Sequence, residues 1–127
     1  MKKAFALAGV IALTVTPTAS FGDHLVPQKS ELKQGGNLQH TDLSGANLFR
    51  HNLAGANLTG ANLSDANLSV ANLNGANLTD VNLTGANLFY SDLRSANLTG
   101  ITATNLRDCP VFLPPTWVCK NKSLIKR

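Results

Sequence analysis

Leucine recurs every five residues through the middle of the chain. Thirteen leucines follow one another at this spacing without a gap. The residue before each is Asn or Asp, and the residue two before is usually Ala. An internal repeat of fixed period decides the architecture before local propensities do. We therefore predict a repeat over 36–100 within a solenoid domain at 36–108. Its core positions are Leu38, Leu43, Leu48, Leu53, Leu58, Leu63, Leu68, Leu73, Leu78, Leu83, Leu88, Leu93 and Leu98.

A period of five excludes a continuous helix or strand. Leucines five apart on an α-helix lie about 140° from one another, and on a strand they alternate between faces. The chain must therefore turn once per repeat, so that Ala and Leu both point inward from a short extended piece. Glycine occupies six of the thirteen positions two after leucine, where it relaxes the backbone restriction of a tight turn.

The repeats Ala46-Asn47-Leu48 and Ala56-Asn57-Leu58-Thr59-Gly60 resemble the pentapeptide-repeat family, whose motif is Ala-(Asp/Asn)-Leu-x-x. The resemblance implies an all-β fold, a right-handed quadrilateral parallel β-helix with four repeats per coil and about three coils. We expect the asparagines to stack coil over coil and to hydrogen-bond to one another and to the corners. Inward positions without Ala cluster at the ends, where caps are expected: Gly36, Thr41, His51, Val81, Ser91 and Ile101.

The N-terminus carries the pattern of a targeting segment. Lys2 and Lys3 precede an apolar run over 4–15, and small residues follow. The run is shorter than the roughly 18 residues of a membrane span. We predict a signal peptide at 1–22, cleaved before Asp23 or, as second choice, after Ser20. The protein would then be exported, periplasmic or secreted, with no membrane span after cleavage.

A short cap is predicted between the signal peptide and the repeats. Residues 23–35 contain no repeat, and 27–33 could form a short helix that ends at Gly35-Gly36. Such a helix would place Leu32 over the first coil. A flexible linker is the alternative.

The C-terminal residues 109–127 form a predicted disulfide loop and basic tail. Cys109 and Cys119 are the only cysteines, and in an oxidising compartment such a pair predicts a disulfide. The segment resembles a Cys-Pro-x-x-Leu-Pro-x-x-Trp-x-Cys run beside the solenoid of some pentapeptide-repeat proteins. We expect Phe112, Leu113 and Trp117 to plug the open last coil; the alternative is a recognition loop that displays Trp117. The tail after Cys119 is expected to be solvated and frayed.

Charge and composition narrow the function. Removal of two lysines with the signal peptide lowers the formal charge from +4 to +2, too little to indicate a nucleic-acid partner. Family members that mimic DNA are acidic, whereas residues 36–108 hold five Asp against three Arg. His24, His40 and His51 fall in unrelated contexts, so no catalytic, cofactor-binding or metal-binding residue is predicted. We predict a non-catalytic protein-interaction or structural module; a DNA mimic and an enzyme are remote alternatives.

One outward column differs from the others. With four repeats per coil, residues twenty apart stack, which aligns 49–50 with 69–70 and 89–90. The column forms a possible interaction face made of Phe49, Arg50, Val70, Phe89 and Tyr90. Exposed aromatic clusters mark contact sites, so another protein or a second copy of the chain is the expected partner. The alternative is that these side chains pack along the outside without any partner.

Overall fold

The computed structural model describes residues 33–127 and two short strands near the N-terminus. Strand β1 is Ala6–Leu7 and pairs antiparallel with β2, Val10–Ile11. The predicted signal peptide otherwise lies outside the described residues. So does most of the predicted N-terminal cap, of which the structure describes only a turn at 33–36, closed by a hydrogen bond from the Gly36 N–H to the Lys33 carbonyl.

Four sides per coil follow from the bridge pattern. Each repeat forms one parallel β-bridge with the repeat twenty residues on, as Asn37 does with Asn57 and Asn57 with Asn77. Twenty residues divided by a period of five give four repeats per coil, which confirms the quadrilateral fold. We number the faces by their bridging residues: face 1 (Asn37, Asn57, Asn77, Asn97), face 2 (Asp42, Asn62, Asn82, Thr102), face 3 (Asn47, Asn67, Asn87, Asp108) and face 4 (Asn52, Asn72, Asp92, Phe112).

The solenoid has four layers on every face, more than the three coils that the leucine count predicts. The fourth coil continues without the repeat motif because Ala103 occupies a leucine position and Leu106 an alanine position, and both are buried. A bulge adjusts its register. Arg107 donates its N–H to Ala86 while the Asp108 carbonyl accepts from Leu88, so two residues face Asn87 alone. The ladder then continues to Phe112.

The core is the stack of inward Leu and Ala side chains, as the repeat predicts. Leucines 38 to 93 are fully buried, and Leu98 is 2% exposed. Polar replacements at the inward position satisfy themselves: the hydroxyls of Thr41 and Ser91 each donate to the leucine carbonyl three residues before. Such a bond removes the cost of burying a hydroxyl. The interior of the described coils is therefore mostly apolar, and the inward hydroxyls of Thr41 and Ser91 are hydrogen-bonded.

The asparagine side chains do not form the ladder that we expected. Each Oδ1 accepts the backbone N–H two residues later in its own repeat, as Asn62 does from Ser64 at 3.0 Å and Asn87 from Phe89 at 2.9 Å. This local ring is an Asx-turn, which competes with longer-range bonding because the acceptor is already in reach. The expected bonds to the corners are confirmed. Among residues 33–127, no asparagine side chain bonds to another.

The C-terminal tail forms a hairpin, contrary to the prediction that it is frayed, although most of its side chains are exposed as predicted. Strand β3 is Trp117–Lys120 and pairs antiparallel with β4, Ser123–Lys126. The two-residue turn at Asn121 and Lys122 has positive φ at both positions, the geometry that favours a tight hairpin. Leu124 is 7% exposed and joins the core, which holds the hairpin on the solenoid.

Candidate functional site

The corners between faces share one backbone geometry. The residue two after each leucine position has φ between +52° and +73° from Gly35 to Asn105, with Ser95 as the one exception. This left-handed conformation costs an L-residue with a side chain about 1–2 kcal/mol and costs glycine nothing comparable. A residue other than glycine at a corner therefore indicates that its side chain has a role that offsets this cost.

Two corners alternate glycine with a side chain. Between faces 1 and 2 the column reads His40, Gly60, Asp80, Gly100, and between faces 2 and 3 it reads Gly45, Asp65, Gly85, Asn105. The side chains lean onto the next coil. A Cβ added at Gly85 would lie 2.2 Å from Oδ1 of Asp65, and one at Gly100 would lie 2.1 Å from Oδ1 of Asp80. Three of the four glycines in these columns, Gly60, Gly85 and Gly100, therefore stand where the coil before supplies a side chain.

The corner between faces 3 and 4 carries no glycine. Its residues with positive φ are Arg50, Val70 and Tyr90, at +61°, +60° and +57°. A β-branched residue such as Val70 is a genuine outlier in this region. Three consecutive layers therefore accept backbone strain at one corner, and each layer displays a large side chain there.

The residues of the predicted interaction face meet at this corner, and we call Phe49, Arg50, Val70, Phe89 and Tyr90 the corner stripe. Arg50 lies over the Phe49 ring at 5.9 Å, and Phe89 meets Tyr90 edge to face at 4.9 Å. All four apolar members are 43–56% exposed. The structure thus brings the predicted residues together on the surface; a contact with a partner stays a prediction.

Two further apolar side chains extend the stripe in the last coil. Val111 and Phe112 directly follow this corner and are 52% and 41% exposed. The Arg94 guanidinium lies 4.9 Å from the centre of the Phe112 ring. It also donates to both carboxylate oxygens of Asp92, at 3.0 and 2.7 Å, and this hydrogen bonding lowers the pKa of Asp92. Five of the seven large exposed apolar residues in the described chain, with Val111 counted, therefore lie at one corner, and Phe112 lies beside it on face 4.

The predicted C-terminal plug is only partly as expected. Cys109 and Cys119 form a disulfide with a Cα–Cα distance of 6.0 Å, and Leu113 and Trp117 pack against the core. Phe112 does not plug the coil, since it lies on the surface beneath Arg94. Sequence reasoning missed Leu124 and Arg94. Leu124 follows no repeat spacing, whereas the pairing of Arg94 with Asp92 could be read from their positions on either side of Leu93.

No catalytic centre emerges from the described residues. His40 leans over Gly60, and His51 occupies a half-buried inward position with Nδ1 3.4 Å from the Phe49 carbonyl. Across residues 33–127, no group of three His, Cys, Asp or Glu side chains could hold a metal ion. In that same range no helix has the length and apolarity to cross a membrane. The corner stripe is the strongest candidate for function in this part of the solenoid.

Comparison with known proteins gives the family. The model of pentapeptide repeats matches residues 37–75 and 66–102, with eight copies. The structure of HetL, a pentapeptide repeat protein involved in heterocyst differentiation regulation in the cyanobacterium Nostoc sp. strain PCC 7120, is 40% identical with a TM-score of 0.51. That match covers 54% of this chain and 32% of HetL.

Two other cyanobacterial pentapeptide repeat proteins also match. One from Nostoc is 44% identical over 54% of this chain and 52% of its own, with a TM-score of 0.37. Rfr23 from Cyanothece 51142 is 43% identical over 52% of each chain, with a TM-score of 0.33. The chain thus spans between a third and about half of these structures. No curated protein matches it. Because the family model spans 37–102, more than half of the 127 residues, the chain belongs to the pentapeptide-repeat family and has its right-handed quadrilateral β-helix.

Proposed function

We propose that the protein is an exported, non-catalytic interaction or structural module whose contact surface is the corner stripe. The observation that carries the proposal is the difference between corners. Two columns relieve positive φ with alternating glycines, whereas the stripe holds Arg50, Val70 and Tyr90 in the same backbone geometry without any glycine. Strain kept in this way is typical of positions selected for something other than stability.

The composition of the stripe fits a protein partner. Aromatic side chains and arginine are the residue types enriched at interface cores, because they bury large area and also offer a polar or cationic group. Phe49 with Arg50 and Phe89 with Tyr90 supply both, two layers apart. With about 4.8 Å between layers, the two pairs are separated by roughly 10 Å. A contiguous apolar surface of this height suits another protein or a second copy of the chain.

Replacement of both phenylalanines tests the contact. We expect Phe49→Ser/Phe89→Ser to abolish self-association measured by light scattering and to remove partners that co-purify from the native envelope or medium. Both side chains are about half exposed, so the fold should survive, which circular dichroism checks. Ile125→Ser is the matched control, since Ile125 is 44% exposed on β4 and lies outside the stripe. Unchanged mass and unchanged partners in the double variant would overturn the proposal.

Export is supported by two separate features. Residues 1–22 carry the charged, apolar and small-residue order of a signal peptide, and Cys109 is bonded to Cys119, as oxidising compartments favour. We expect the protein isolated from whole cells to begin at Asp23, or at Phe21, when its N-terminus is sequenced. An intact N-terminus in the cytoplasmic fraction would contradict export while leaving the interaction surface untouched.

The C-terminal segment serves in this proposal as a cap. Leu113 and Trp117 pack on the core, and the disulfide joins the last coil to β3. A cross-link ten residues apart stabilises by about 3 kcal/mol in the chain-entropy account. Cys109→Ser/Cys119→Ser should therefore lower the free energy of unfolding in urea by roughly 2–3 kcal/mol. An effect near zero would mean that the hairpin caps the coil without the disulfide.

A further inference from the structure

The last coil ends differently on each of its four faces. On face 2 the hairpin packs over the last layer: Leu124 donates its N–H to the Ala103 carbonyl and Leu106 donates to the Lys122 carbonyl. The Ile101 carbonyl and the N–H groups of Ala103 and Asn105 have no partner among residues 33–127. The partner numbers fall as the coil numbers rise, so β4 runs antiparallel to the coil and ends the parallel ladder there.

Faces 3 and 4 are covered in part by other means. On face 3, Pro110 has no N–H, and the Lys122 ammonium donates to the Arg107 carbonyl at 2.6 Å. On face 4, Pro115 lacks an N–H at the position that corresponds to Gly100 on face 1, whereas the Val111 carbonyl and the Leu113 N–H have no partner among residues 33–127. Proline and covering loops are the usual ways to prevent strand addition at a sheet edge.

Face 1 is left open. Asn97 in the last layer donates its N–H to the Ala76 carbonyl of the layer below. Leu78 and Asp80 of that lower layer donate their N–H groups to the carbonyls of Asn97 and Thr99. The equivalent groups of the last layer are the Ala96 carbonyl and the N–H groups of Leu98 and Gly100. None of these three has a hydrogen-bond partner among residues 33–127. Buried or half-buried backbone groups are rarely left in this state.

A groove lies along this open edge. It has a volume of about 330 Å³. The last layer of face 1 forms its floor, Pro114 and Trp117 form an apolar wall, and Lys126 lines it. Lys126 pairs with no carboxylate of residues 33–127, and Lys120, Lys122 and Arg127 make the surrounding hairpin basic.

We propose that this groove binds an extended acidic peptide segment of another protein, which adds as a strand to the Ala96–Gly100 edge. One residue of the peptide would donate to the Ala96 carbonyl and accept from Leu98, and the residue two further on would accept from Gly100. These are the positions that Asn97 and Thr99 hold on the layer below. Strand addition of this kind takes its affinity from main-chain bonds and its specificity from alternate side chains.

The groove selects the chemistry of those side chains. An apolar side chain of the peptide fits against Trp117 and Pro114, and a carboxylate on the opposite side or at the next position fits Lys126. The site shares no residue with the corner stripe, so its occupant is independent of the partner proposed there.

The test uses the fluorescence of Trp117, the only tryptophan of the chain. The full chain is titrated with a capped heptapeptide that alternates glutamate with valine. We expect a saturable change in emission, no change with the same peptide N-methylated throughout, and at least tenfold weaker binding when lysine replaces glutamate. Lys126→Glu should weaken binding of the glutamate peptide at least tenfold. The matched control Lys120→Glu makes the same charge change outside the groove and should alter binding less than twofold.

Hydrogen exchange shows whether the edge itself is used. The amides of Leu98 and Gly100 should exchange rapidly in the unbound chain and at least tenfold more slowly with the glutamate peptide present. Protection of both amides before any peptide is added would show that the chain's own residues fill the groove, and would overturn the proposal. Absence of a fluorescence change, or equal effects of the two lysine variants, would also overturn it. Phe49→Ser/Phe89→Ser should bind the peptide normally, which separates this outcome from that of the corner stripe.

Discussion

Two corners of the solenoid have the same backbone conformation but differ in where they use glycine. At the corner between faces 2 and 3, Asp65 leans onto Gly85, and the column alternates side chain and glycine. At the corner between faces 3 and 4, Arg50, Val70 and Tyr90 follow one another with φ near +60°. The first arrangement relieves strain in every second layer, and the second keeps it in every layer.

This comparison indicates how a solenoid with a regular repeat can form a distinct surface at one corner. The leucines at both corners are buried alike, and the Asx-turns are alike. The inward residue after the corner is Ala in the first three layers of the first corner, but His51, Ala71 and Ser91 at the second. The outward pair of residues also differs. The cost of a non-glycine corner is local, about 1–2 kcal/mol in a fold whose stability comes from the whole stack. A surface can therefore be added at one corner without changes elsewhere.

The largest expected effect comes from placing the stripe's valine at the other corner. Gly85→Val combines positive φ with a Cβ that would lie 2.2 Å from Asp65 Oδ1, so the carboxylate must swing away. We expect a loss of roughly 2–3 kcal/mol in the free energy of unfolding, measured in urea. Gly45→Val is the control, because nothing lies within 4 Å of its Cβ position and only the strain remains. Equal losses would show that stacking between layers does not decide where glycine stands.

Removal of an Asx-turn should affect both corners equally. Asn82→Ala at the first corner and Asn87→Ala at the second each remove one acceptor from a backbone N–H, at 2.9 Å in both cases. We expect each to lower the free energy of unfolding by about 1 kcal/mol. Thermal and urea unfolding of the two variants side by side measures this. A clear difference between them would mean that the two corners differ in backbone stability as well as in side chains.

Relief of strain at the stripe should stabilise the protein. Val70→Gly removes a β-branched side chain from φ +60°. The strain that is lost exceeds the added flexibility of the unfolded chain, so we expect a gain of about 0.5–1 kcal/mol together with weaker partner binding. Urea unfolding and the light-scattering assay measure the two effects. A loss of stability would show that Val70 contributes packing that outweighs its strain.

The smallest effect is expected at the ion pair of Asp92 and Arg94, which follows the second corner along the chain. Asp92→Asn removes the ion pair with Arg94 but keeps the Oδ1 acceptor, so the loss at neutral pH should stay below about 1 kcal/mol. Arg94 lowers the pKa of Asp92 in the folded chain, so this contribution is present above the unfolded carboxyl pKa of about 3.9 and is lost as the pH falls through the lower folded value. Urea unfolding of the two chains should converge once the pH falls below the folded carboxyl pKa of Asp92. A difference that persists there would contradict the ion pair as its cause.

The fold could be predicted from the sequence because the repeat acts at every layer. Thirteen leucines at a fixed spacing leave few ways to bury a common face, and the family resemblance supplied the four sides. The end of the solenoid could not be predicted as well. The fourth coil substitutes Ala103 and Leu106 for the motif and adds a residue at Arg107–Asp108, so the spacing that guided the prediction is absent.

The corner stripe, too, could be predicted only in part from the sequence. The stripe residues stack because they are twenty positions apart, and this column could be predicted once the family resemblance supplied four repeats per coil. The backbone strain of the stripe could not be predicted, because φ depends on the corner that the tertiary ladder imposes. The tail shows the same limit, since its four basic residues after Cys119 indicated a frayed segment, whereas Leu124 anchors a hairpin on the core.

The repeating core, the face on which each side chain lies and, with four repeats per coil, the column of aromatic residues follow from the spacing of residues along the chain. These properties are periodic, and a period can be recognised without knowledge of distant contacts. Three-dimensional packing sets where the hairpin covers the last coil, which glycines lie under a side chain of the layer before, and where a groove lies along the Ala96–Gly100 edge. Those properties depend on residues brought together from different layers by packing, so no local pattern could specify them.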